Sequence, residues 1–200
     1  MAADGAVTLT LANGPSATEF VTLPRHKKCA AAGTKVQARS ARLLLDLVDA
    51  EAIVVGEEFT LMDWCNAVVT AVTRDAAGAV AGLAGELRPE GDFRKTKLKL
   101  TWLAASEELV PLRLVEFDHL ITKRKVEEDD DFQALVNPRS RWEAAAHGDA
   151  CMRSLQAGDL IQLERKGYYR VDEAAAKPGK PMVLFLIPDG RDKKPAAPAK

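Results

Sequence analysis

The sequence predicts an all-β protein whose strands are closed into barrels. About ten short segments rich in apolar and β-branched residues follow one another along the 200 residues, separated by turn-forming glycine, proline, asparagine and aspartate. Little of the chain has the period of a helix, and no apolar run reaches the roughly 18 residues that a membrane helix needs. Barrels are favoured because closing a sheet removes its exposed edges.

Composition excludes several classes of protein. Apolar residues make up 47% of the chain and charged residues 28%, and the formal net charge of −1 argues against a protein that coats nucleic acid over its whole surface. The three cysteines are widely spaced and predict neither a disulfide framework nor a zinc site, and the three histidines lack metal-ligand spacing. The N-terminus has no basic region followed by an apolar one, so a soluble, cytosolic protein is expected.

Two predicted strands open the chain, and a basic segment follows them. Residues 7–11 and 19–23 alternate in polarity, and the Asn-Gly-Pro cluster between them predicts an opening hairpin or meander. The positive side chains that follow, on an irregular segment reaching Gly33, are either a solvated loop or a set of phosphate contacts beside a barrel edge. These side chains are Arg25, His26, Lys27 and Lys28.

A strand, a turn and a second strand are predicted over residues 57–69, after a possible helical turn at residues 49–54. In the turn, Trp64 is typical of a core residue. Asp63 and Asn66 are either turn formers or readers of a base edge, because their short polar side chains suit both roles.

A row of lysines is the clearest pattern of polarity in the sequence. If residues 93–102 form a strand, Lys95, Lys97 and Lys99 project from one face and apolar side chains from the other. Residues two apart on a strand lie roughly 6.5–7 Å from each other, which is comparable with the spacing of successive phosphates on single-stranded RNA. The row predicts either a surface that follows an RNA backbone or the solubilising face of an exposed strand.

Strongly charged residues follow a further predicted strand at residues 110–117. Three cations at residues 123–125 precede five consecutive carboxylates at residues 127–131. The carboxylates lack the ligand spacing and fixed glycine of a calcium loop, so a solvated loop or a helix N-terminus is expected. Residues 141–155 are predicted to be mostly helical.

The most informative segment, residues 158–172, is predicted to be a β-hairpin. Its first half alternates polar and apolar side chains, and Gly167 can adopt the positive φ that the turn needs. The hairpin carries an amide at Gln162, cations at Arg165 and Lys166, and two tyrosines, which suit it to hold bases and phosphates. A plain sheet with a solvated face has the same pattern.

Several motifs occur along the chain in a fixed order. They include Gln-Leu-Glu-Arg-Lys-Gly-Tyr-Tyr at residues 162–169 and Leu-Met-Asp-Trp at residues 61–64. The first resembles the signature strand in the anticodon-binding barrels of class I glutamyl- and glutaminyl-tRNA synthetases, and the second resembles the eukaryotic and archaeal glutamyl branch. The resemblance runs from about Val7 to Gly190. Further matching segments lie at residues 24–28, 58–64, 91–97, 100–104, 136–138 and 186–190.

The resemblance implies two β-barrels, of a kind related to ribosomal protein L25, with short helices. Residues 1–40 and 158–190 would form the proximal barrel. Residues 41–157 would form an inserted distal barrel with a connecting helical segment. Residues 191–200, rich in lysine, alanine and proline, are expected to be a disordered tail.

The resemblance also implies a glutamate–tRNA ligase of which this chain holds only the tRNA-reading part. The motifs with which the catalytic half of such enzymes uses ATP are absent, as are nucleotide-binding glycine loops and hydrolase motifs. ATP and Mg²⁺ would be bound by that catalytic half, and no cofactor, metal or catalytic residue is expected in this region. The chain would be either a fragment or a module that stands alone.

In similar enzymes the glutamine of the signature strand contacts the middle anticodon base, which implies that role for Gln162. Arginines with which glutaminyl enzymes help to read the outer bases have no counterpart, because Thr60 and Met62 lie near those positions. The implied partner is tRNA-Glu, with other synthetases or assembly factors bound through further regions and no membrane. The alternatives are the glutaminyl equivalent and a structural RNA-binding module of the L25 type. The expected RNA-binding residues are Gln162, Arg165, Lys166, Arg25, Lys27, Lys28, Lys95, Lys97, Lys99, Asp63 and Trp64.

Overall fold

A computed structural model describes residues 1–3, 5–175 and 180–190. Strands make up most of the regular structure and the helices are short, so the all-β prediction is confirmed. The chain forms two compact units, one of residues 1–111 and 146–154 and the other of residues 112–145 and from 155 onward. The predicted barrel limits, 1–40 with 158–190 and 41–157, stay predictions. The expected tail at residues 191–200 lies outside the described residues.

The elements follow one another in a simple order along the chain. They are β1 (Ala6–Leu11), β2 (Glu19–Pro24), β3 (Thr34–Arg39), β4 (Arg42–Asp46), α1 (Leu47–Glu51), β5 (Glu58–Leu61), β6 (Asn66–Arg74), β7 (Val80–Arg88), β8 (Lys99–Leu100), β9 (Leu103–Ala104), β10 (Val110–Phe117), α2 (Phe132–Leu135), β11 (Arg141–Gly148), β12 (Leu160–Leu163), β13 (Gly167–Glu173) and β14 (Met182–Leu186). Short 3₁₀ helices lie at Ala30–Ala32 and Ala150–Ser154. None of the described helices has the length and apolar composition of a membrane span.

A seven-stranded sheet carries the core of the first unit, in the order β8-β5-β6-β7-β1-β4-β9. The alternation of β1 buries Val7, Leu9 and Leu11 on one face, where they join the core with Phe59 and Leu61. Strand β1 lies between β4 and β7. Strand β2 pairs with β3 instead. The predicted opening hairpin or meander is therefore wrong, because alternating polarity predicts a strand but does not specify its partner.

A five-stranded sheet in the order β11-β10-β14-β13-β12 forms a half-barrel in the second unit. The hairpin predicted over residues 158–172 is confirmed as β12 and β13, and β12 is the edge strand. The side chains that face the interior of this sheet include Tyr169, Val171 and Leu184.

The helix predicted over residues 141–155 is wrong, since β11 and a short 3₁₀ helix occupy this segment. Its Glu-Ala-Ala-Ala run has high helix propensity, but the segment pairs beside β10, and pairing within a sheet overrides a weak local preference. The strand predicted at residues 110–117 is confirmed as β10, and the helical turn predicted at residues 49–54 begins slightly earlier, as α1.

Gly85 and Gly82 provide a matched test of packing within β7. A Cβ on Gly85 would lie 2.5 Å from the Val68 carbonyl oxygen, whereas a Cβ on Gly82 would meet the Thr8 oxygen at 3.9 Å. We expect Gly85→Ala to lower the free energy of unfolding by about 1–3 kcal/mol through overpacking. Gly82→Ala should change it by less than about 0.5 kcal/mol. Urea denaturation measures both values, and equal losses in the two variants would contradict this packing.

Candidate nucleic-acid interface

The hairpin of β12 and β13 displays Gln162 on an exposed face at the edge of its sheet. Gln162 pairs in register with Tyr168, so the two side chains project to the same side, with Cβ atoms about 4.5–5.5 Å apart. Both are exposed, Tyr168 to 55%. In the same row, the exposed Leu160 pairs with the exposed Arg170. An amide therefore stands beside an aromatic ring, with an apolar side chain and a cation next to them.

The opposite face of β13 fixes this arrangement. Tyr169 and Val171 are 2% and 0% exposed, and they belong to the apolar side of the sheet. Burial, together with the charge of Glu116, raises the pKa of Tyr169 to about 12, so its hydroxyl stays protonated at neutral pH. Because side chains alternate along a strand, burying these two residues directs Tyr168 and Arg170 outward.

The turn of this hairpin holds Arg165 in an uncommon backbone conformation. The Lys166 amide donates to the Leu163 carbonyl at 3.0 Å, and Arg165, the third residue of the turn, has φ +65°. A type II turn places its third residue in this left-handed region, which favours glycine. The positive φ predicted for Gly167 is also present, at +140°. Arg165 and Lys166 are both exposed at the tip, as their expected role in holding the RNA backbone requires.

In the first unit, Asp63 gathers cations around the turn between β5 and β6. Its carboxylate lies 2.9 Å from Lys27 Nζ and 3.3 Å from Lys35 Nζ. Its backbone carbonyl accepts a hydrogen bond of 2.8 Å from Arg39 Nη2. Like Arg165, Asp63 is left-handed, with φ +62°, and within the described ranges these are the two non-glycine residues with positive φ. Asp63 thus organises positive side chains, and its own contact with a base stays a prediction.

Trp64 is half-buried and supports the same turn. The centroid of the Trp64 ring lies 5.0 Å from that of the Trp102 ring and 5.3 Å from the Arg39 guanidinium carbon. Trp102 Nε1 donates to the Met62 carbonyl at 2.9 Å. Trp64 packs against the core of the unit, as its residue type predicts, and a direct RNA contact by Trp64 stays a prediction.

The basic segment after β2 is irregular, as predicted, and exposed. Arg25 Nε donates to the Thr34 carbonyl at 2.9 Å, which holds this arginine at the start of β3. Lys27 and Lys35 share the carboxylate of Asp63, and Lys28 lies next in the chain. Arg25, Lys27, Lys28 and Lys35 thus form one positive surface, which we call the basic ribbon.

The predicted strand over residues 93–102 is wrong, since only Lys99 and Leu100 form a strand there, β8. Asp92 breaks the pattern: its side chain accepts a hydrogen bond from the Arg94 amide, and its carbonyl accepts one from the Lys95 amide, each at 3.0 Å. Side chains that bond the neighbouring backbone in this way compete with strand formation.

The three lysines of the predicted row consequently do not act as one row. Lys97 forms an ion pair of 2.6 Å with Glu57, and Lys99 Nζ donates to the Thr96 carbonyl at 2.7 Å. Lys95 is exposed and forms no hydrogen bond or ion pair through its side chain within the described residues. RNA binding by these lysines stays a prediction, with Lys95 best placed for it.

The acidic run is held by internal contacts. Lys123 Nζ lies 3.2 Å from Glu127 and 2.7 Å from Asp130. Asp131 caps α2 by accepting a hydrogen bond from the Gln133 amide. The predicted solvated loop and helix N-terminus are therefore confirmed. Among the described residues, no group of three or more His, Cys, Asp or Glu side chains is placed to hold a metal ion.

Four residues join these surfaces without being predicted from the sequence. Leu160 and Arg170 could have been found, because the alternation of the hairpin places them in the row of Gln162. Lys35 and Arg39 depend on the pairing of β2 with β3, which the sequence pattern did not predict.

Asp63→Asn tests the carboxylate that joins Lys27 and Lys35. Burial disfavours the charged carboxylate, but the hydrogen bond from Lys27 and the charge of Lys35 outweigh it, so the pKa of Asp63 lies below its usual value. Asparagine tolerates a left-handed backbone, so the substitution keeps the backbone and the side-chain size while it removes the charge and one of the two acceptor oxygens. We expect Asp63→Asn to lower the free energy of unfolding by about 0.5–1 kcal/mol at pH 7. The loss is small because solvent partly screens the two lysines.

Linkage sets the pH dependence of this loss. The pKa of the Asp63 carboxyl is lower in the folded state than in the unfolded state, where it is about 3.9. The ionised carboxylate therefore stabilises the folded state at pH values above about 3.9. This contribution disappears as pH falls through the folded-state pKa. Thermal unfolding of both proteins between pH 7 and about pH 3 should show the two midpoints converging below about pH 4. A difference that stays constant over this range would show that charge is not its cause.

Comparisons with known proteins show the family to which the chain belongs. Two models of the family described as tRNA synthetases class I (E and Q), anti-codon binding domain, match residues 1–88 and 99–172. The chain is 50% identical over 192 residues to the cytoplasmic glutamate–tRNA ligase of Arabidopsis thaliana, covering 96% of this chain and 27% of that protein. It is 43% identical over 185 residues to the probable cytoplasmic glutamate–tRNA ligase of Schizosaccharomyces pombe, covering 92% and 26%.

A third relative joins two activities in its name. The bifunctional glutamate/proline–tRNA ligase of Drosophila melanogaster is 37% identical over 185 residues, covering 88% of this chain and 11% of that protein. The chain thus spans about a quarter, or less, of the length of these relatives. With both family models matching in order along its length, the chain belongs to the class I tRNA synthetases for glutamate and glutamine, and it comprises their anticodon-binding domains.

Proposed function

We propose that this chain is the tRNA-reading part of a cytoplasmic glutamate–tRNA ligase and that its partner is tRNA-Glu. The observation that carries the proposal is the exposed pair Gln162 and Tyr168 on the edge hairpin, within the segment that matches the anticodon-binding family. The names of the relatives in Arabidopsis thaliana and Schizosaccharomyces pombe support glutamate as the amino acid and the cytoplasm as the location. ATP-dependent aminoacylation, with ATP and Mg²⁺, belongs to a catalytic half outside these residues.

Gln162 supplies the readout of the base edge. A primary amide offers one carbonyl acceptor and two N–H donors, which together match the acceptor and donor groups along the edge of a uracil. An anticodon base that is unstacked from its neighbours presents this edge and one flat face. Tyr168 lies beside Gln162 and offers its ring to that face, since base–aromatic stacking is common in recognition of single-stranded RNA.

Cations hold the phosphate backbone around this base. Arg165 and Lys166 lie at the exposed tip of the same hairpin, and Arg170 lies in the row of Tyr168. The basic ribbon of the first unit is a separate positive surface, which we also propose to contact phosphates. Each phosphate contact to a single strand contributes about −0.7 to the slope of log K against log salt concentration. Binding is therefore salt-sensitive, while discrimination between bases depends on Gln162.

Association with other synthetases or assembly factors, through segments outside these residues, is a further part of the proposal. Its support is the relative named bifunctional glutamate/proline–tRNA ligase.

Gln162→Ala tests the base contact. We expect the unmodified chain to bind a glutamate tRNA transcript roughly tenfold more tightly than a transcript whose middle anticodon base is changed, because the wrong base leaves a polar edge unpaired. Gln162→Ala should bind both transcripts alike. Gln133→Ala removes another exposed amide of the same unit and should keep the preference. Fluorescence anisotropy at two salt concentrations measures all of these affinities.

One result would contradict anticodon reading by this chain. Equal affinity of the unmodified chain for both transcripts, varying only with salt, would exclude anticodon reading and leave a structural RNA-binding protein.

A further inference from the structure

We propose that the turn around Phe93 in the first unit is a second stacking site, which binds an unpaired RNA base on the Phe93 ring. We call residues 91–96 the Phe93 turn. The inference rests on the proposed function in taking tRNA as the ligand, but it concerns a surface distinct from the β12–β13 hairpin.

The Phe93 turn presents an aromatic ring together with two cations. Phe93 is 56% exposed, although a side chain of this type is usually buried. The Arg94 guanidinium carbon lies 5.7 Å from the centroid of the Phe93 ring, and the exposed Lys95 follows. An aromatic face binds any base by stacking, and an adjacent arginine or lysine binds the phosphate of the same nucleotide.

Local hydrogen bonds hold the backbone on both sides of the ring. The Asp92 side chain accepts a hydrogen bond from the Arg94 amide, and the Asp92 carbonyl accepts one from the Lys95 amide. The Thr96 hydroxyl donates to the Phe93 carbonyl at 3.0 Å. The ring is therefore displayed on an ordered turn, which reduces the conformational entropy lost when a ligand binds.

A buried polar network anchors this turn to the sheet. Thr96 is 8% exposed, and its hydroxyl lies 2.6 Å from that of Thr60, which donates to Asn66 Oδ1 at 2.9 Å. Asn66 is 1% exposed and donates to Glu58 Oε2 at 3.0 Å. A Cβ on Gly91 would lie 2.6 Å from Asn66 Nδ2, so the turn and the network fit closely together. These buried polar contacts link the turn to the sheet and restrict the geometry of the exposed loop.

The charges around the ring favour a nucleotide as the ligand. Lys97 and Lys99 are engaged with Glu57 and Thr96, so the cations left at this turn are Lys95 and Arg94, whose guanidinium lies over one face of the Phe93 ring. Asp92 Oδ1 accepts a hydrogen bond from the Arg94 amide, which offsets part of the carboxylate's negative charge without neutralising it. A base on the ring would thus have its phosphate next to two cations, which together supply stacking and charge pairing at one nucleotide.

Binding of the full chain to a glutamate tRNA transcript, followed by anisotropy at several salt concentrations, tests this site. We expect Phe93→Ala to weaken binding roughly tenfold without changing the salt slope, because stacking involves no counterion release. Phe93→Trp should bind at least as tightly as the unmodified chain. Lys95→Ala should reduce the magnitude of the salt slope by about 0.7. Phe20→Ala is the matched control, since Phe20 lies in β2 of the same unit and is 59% exposed, and it should leave affinity unchanged.

The outcomes separate this site from the function proposed above. Unchanged affinity of Phe93→Ala, with discrimination at the middle anticodon base retained, would overturn the stacking site and leave anticodon reading intact. Equal losses in Phe93→Ala and Phe20→Ala would also overturn it, because any exposed phenylalanine would then have the same effect. A loss specific to Phe93→Ala, in a chain that does not discriminate the middle base, would support the stacking site and contradict anticodon reading.

Discussion

The burial of Tyr169 and Val171 determines which side chains the β12–β13 hairpin offers to RNA. Successive side chains of a strand point to opposite faces, so a slip of one residue would bury Tyr168 and Arg170 and expose the core pair. The register of β13 with β12 and β14 prevents that slip and sets Gln162 opposite Tyr168. The surface that we assign to base reading is therefore a consequence of core packing, and its geometry is as rigid as the sheet that carries it.

The first unit gathers a local cluster of cations around the turn between β5 and β6, in a chain whose net charge is −1. Asp63 holds these cations together. Its carboxylate forms ion pairs with Lys27 and Lys35, and its backbone carbonyl accepts a hydrogen bond from Arg39. Without that carboxylate the neighbouring cations would repel one another. Asp63 and Arg165 also share a left-handed backbone, and strained residues of this kind concentrate at functional sites. The two surfaces predicted to bind RNA thus share a structural feature that is independent of their sequence motifs.

Strands whose side chains alternate between polar and apolar could be predicted from the sequence. Strand β1 and the β12–β13 hairpin alternate cleanly, and both form as expected because each buries one apolar face. The lysine row alternates as well, yet the local hydrogen bonds of Asp92 and Thr96 prevail over that pattern. Lys35 reaches Asp63 through the non-local pairing of β2 with β3, which periodicity does not specify. The base contact of Gln162 was expected from a family resemblance, whereas its exposed position beside Tyr168 follows from alternation.

The contact between Gln162 and an anticodon base is tested most directly by NMR of its side-chain amide. An anticodon stem-loop of tRNA-Glu would be added to the ¹⁵N-labelled chain while the side-chain amide signals of its glutamines are followed. We predict a large shift for Gln162, little change for Gln133, and a smaller shift of Gln162 when the middle anticodon base is changed. Shifts confined to backbone signals near lysines and arginines, with the Gln162 amide unmoved at saturation, would contradict base reading by this hairpin.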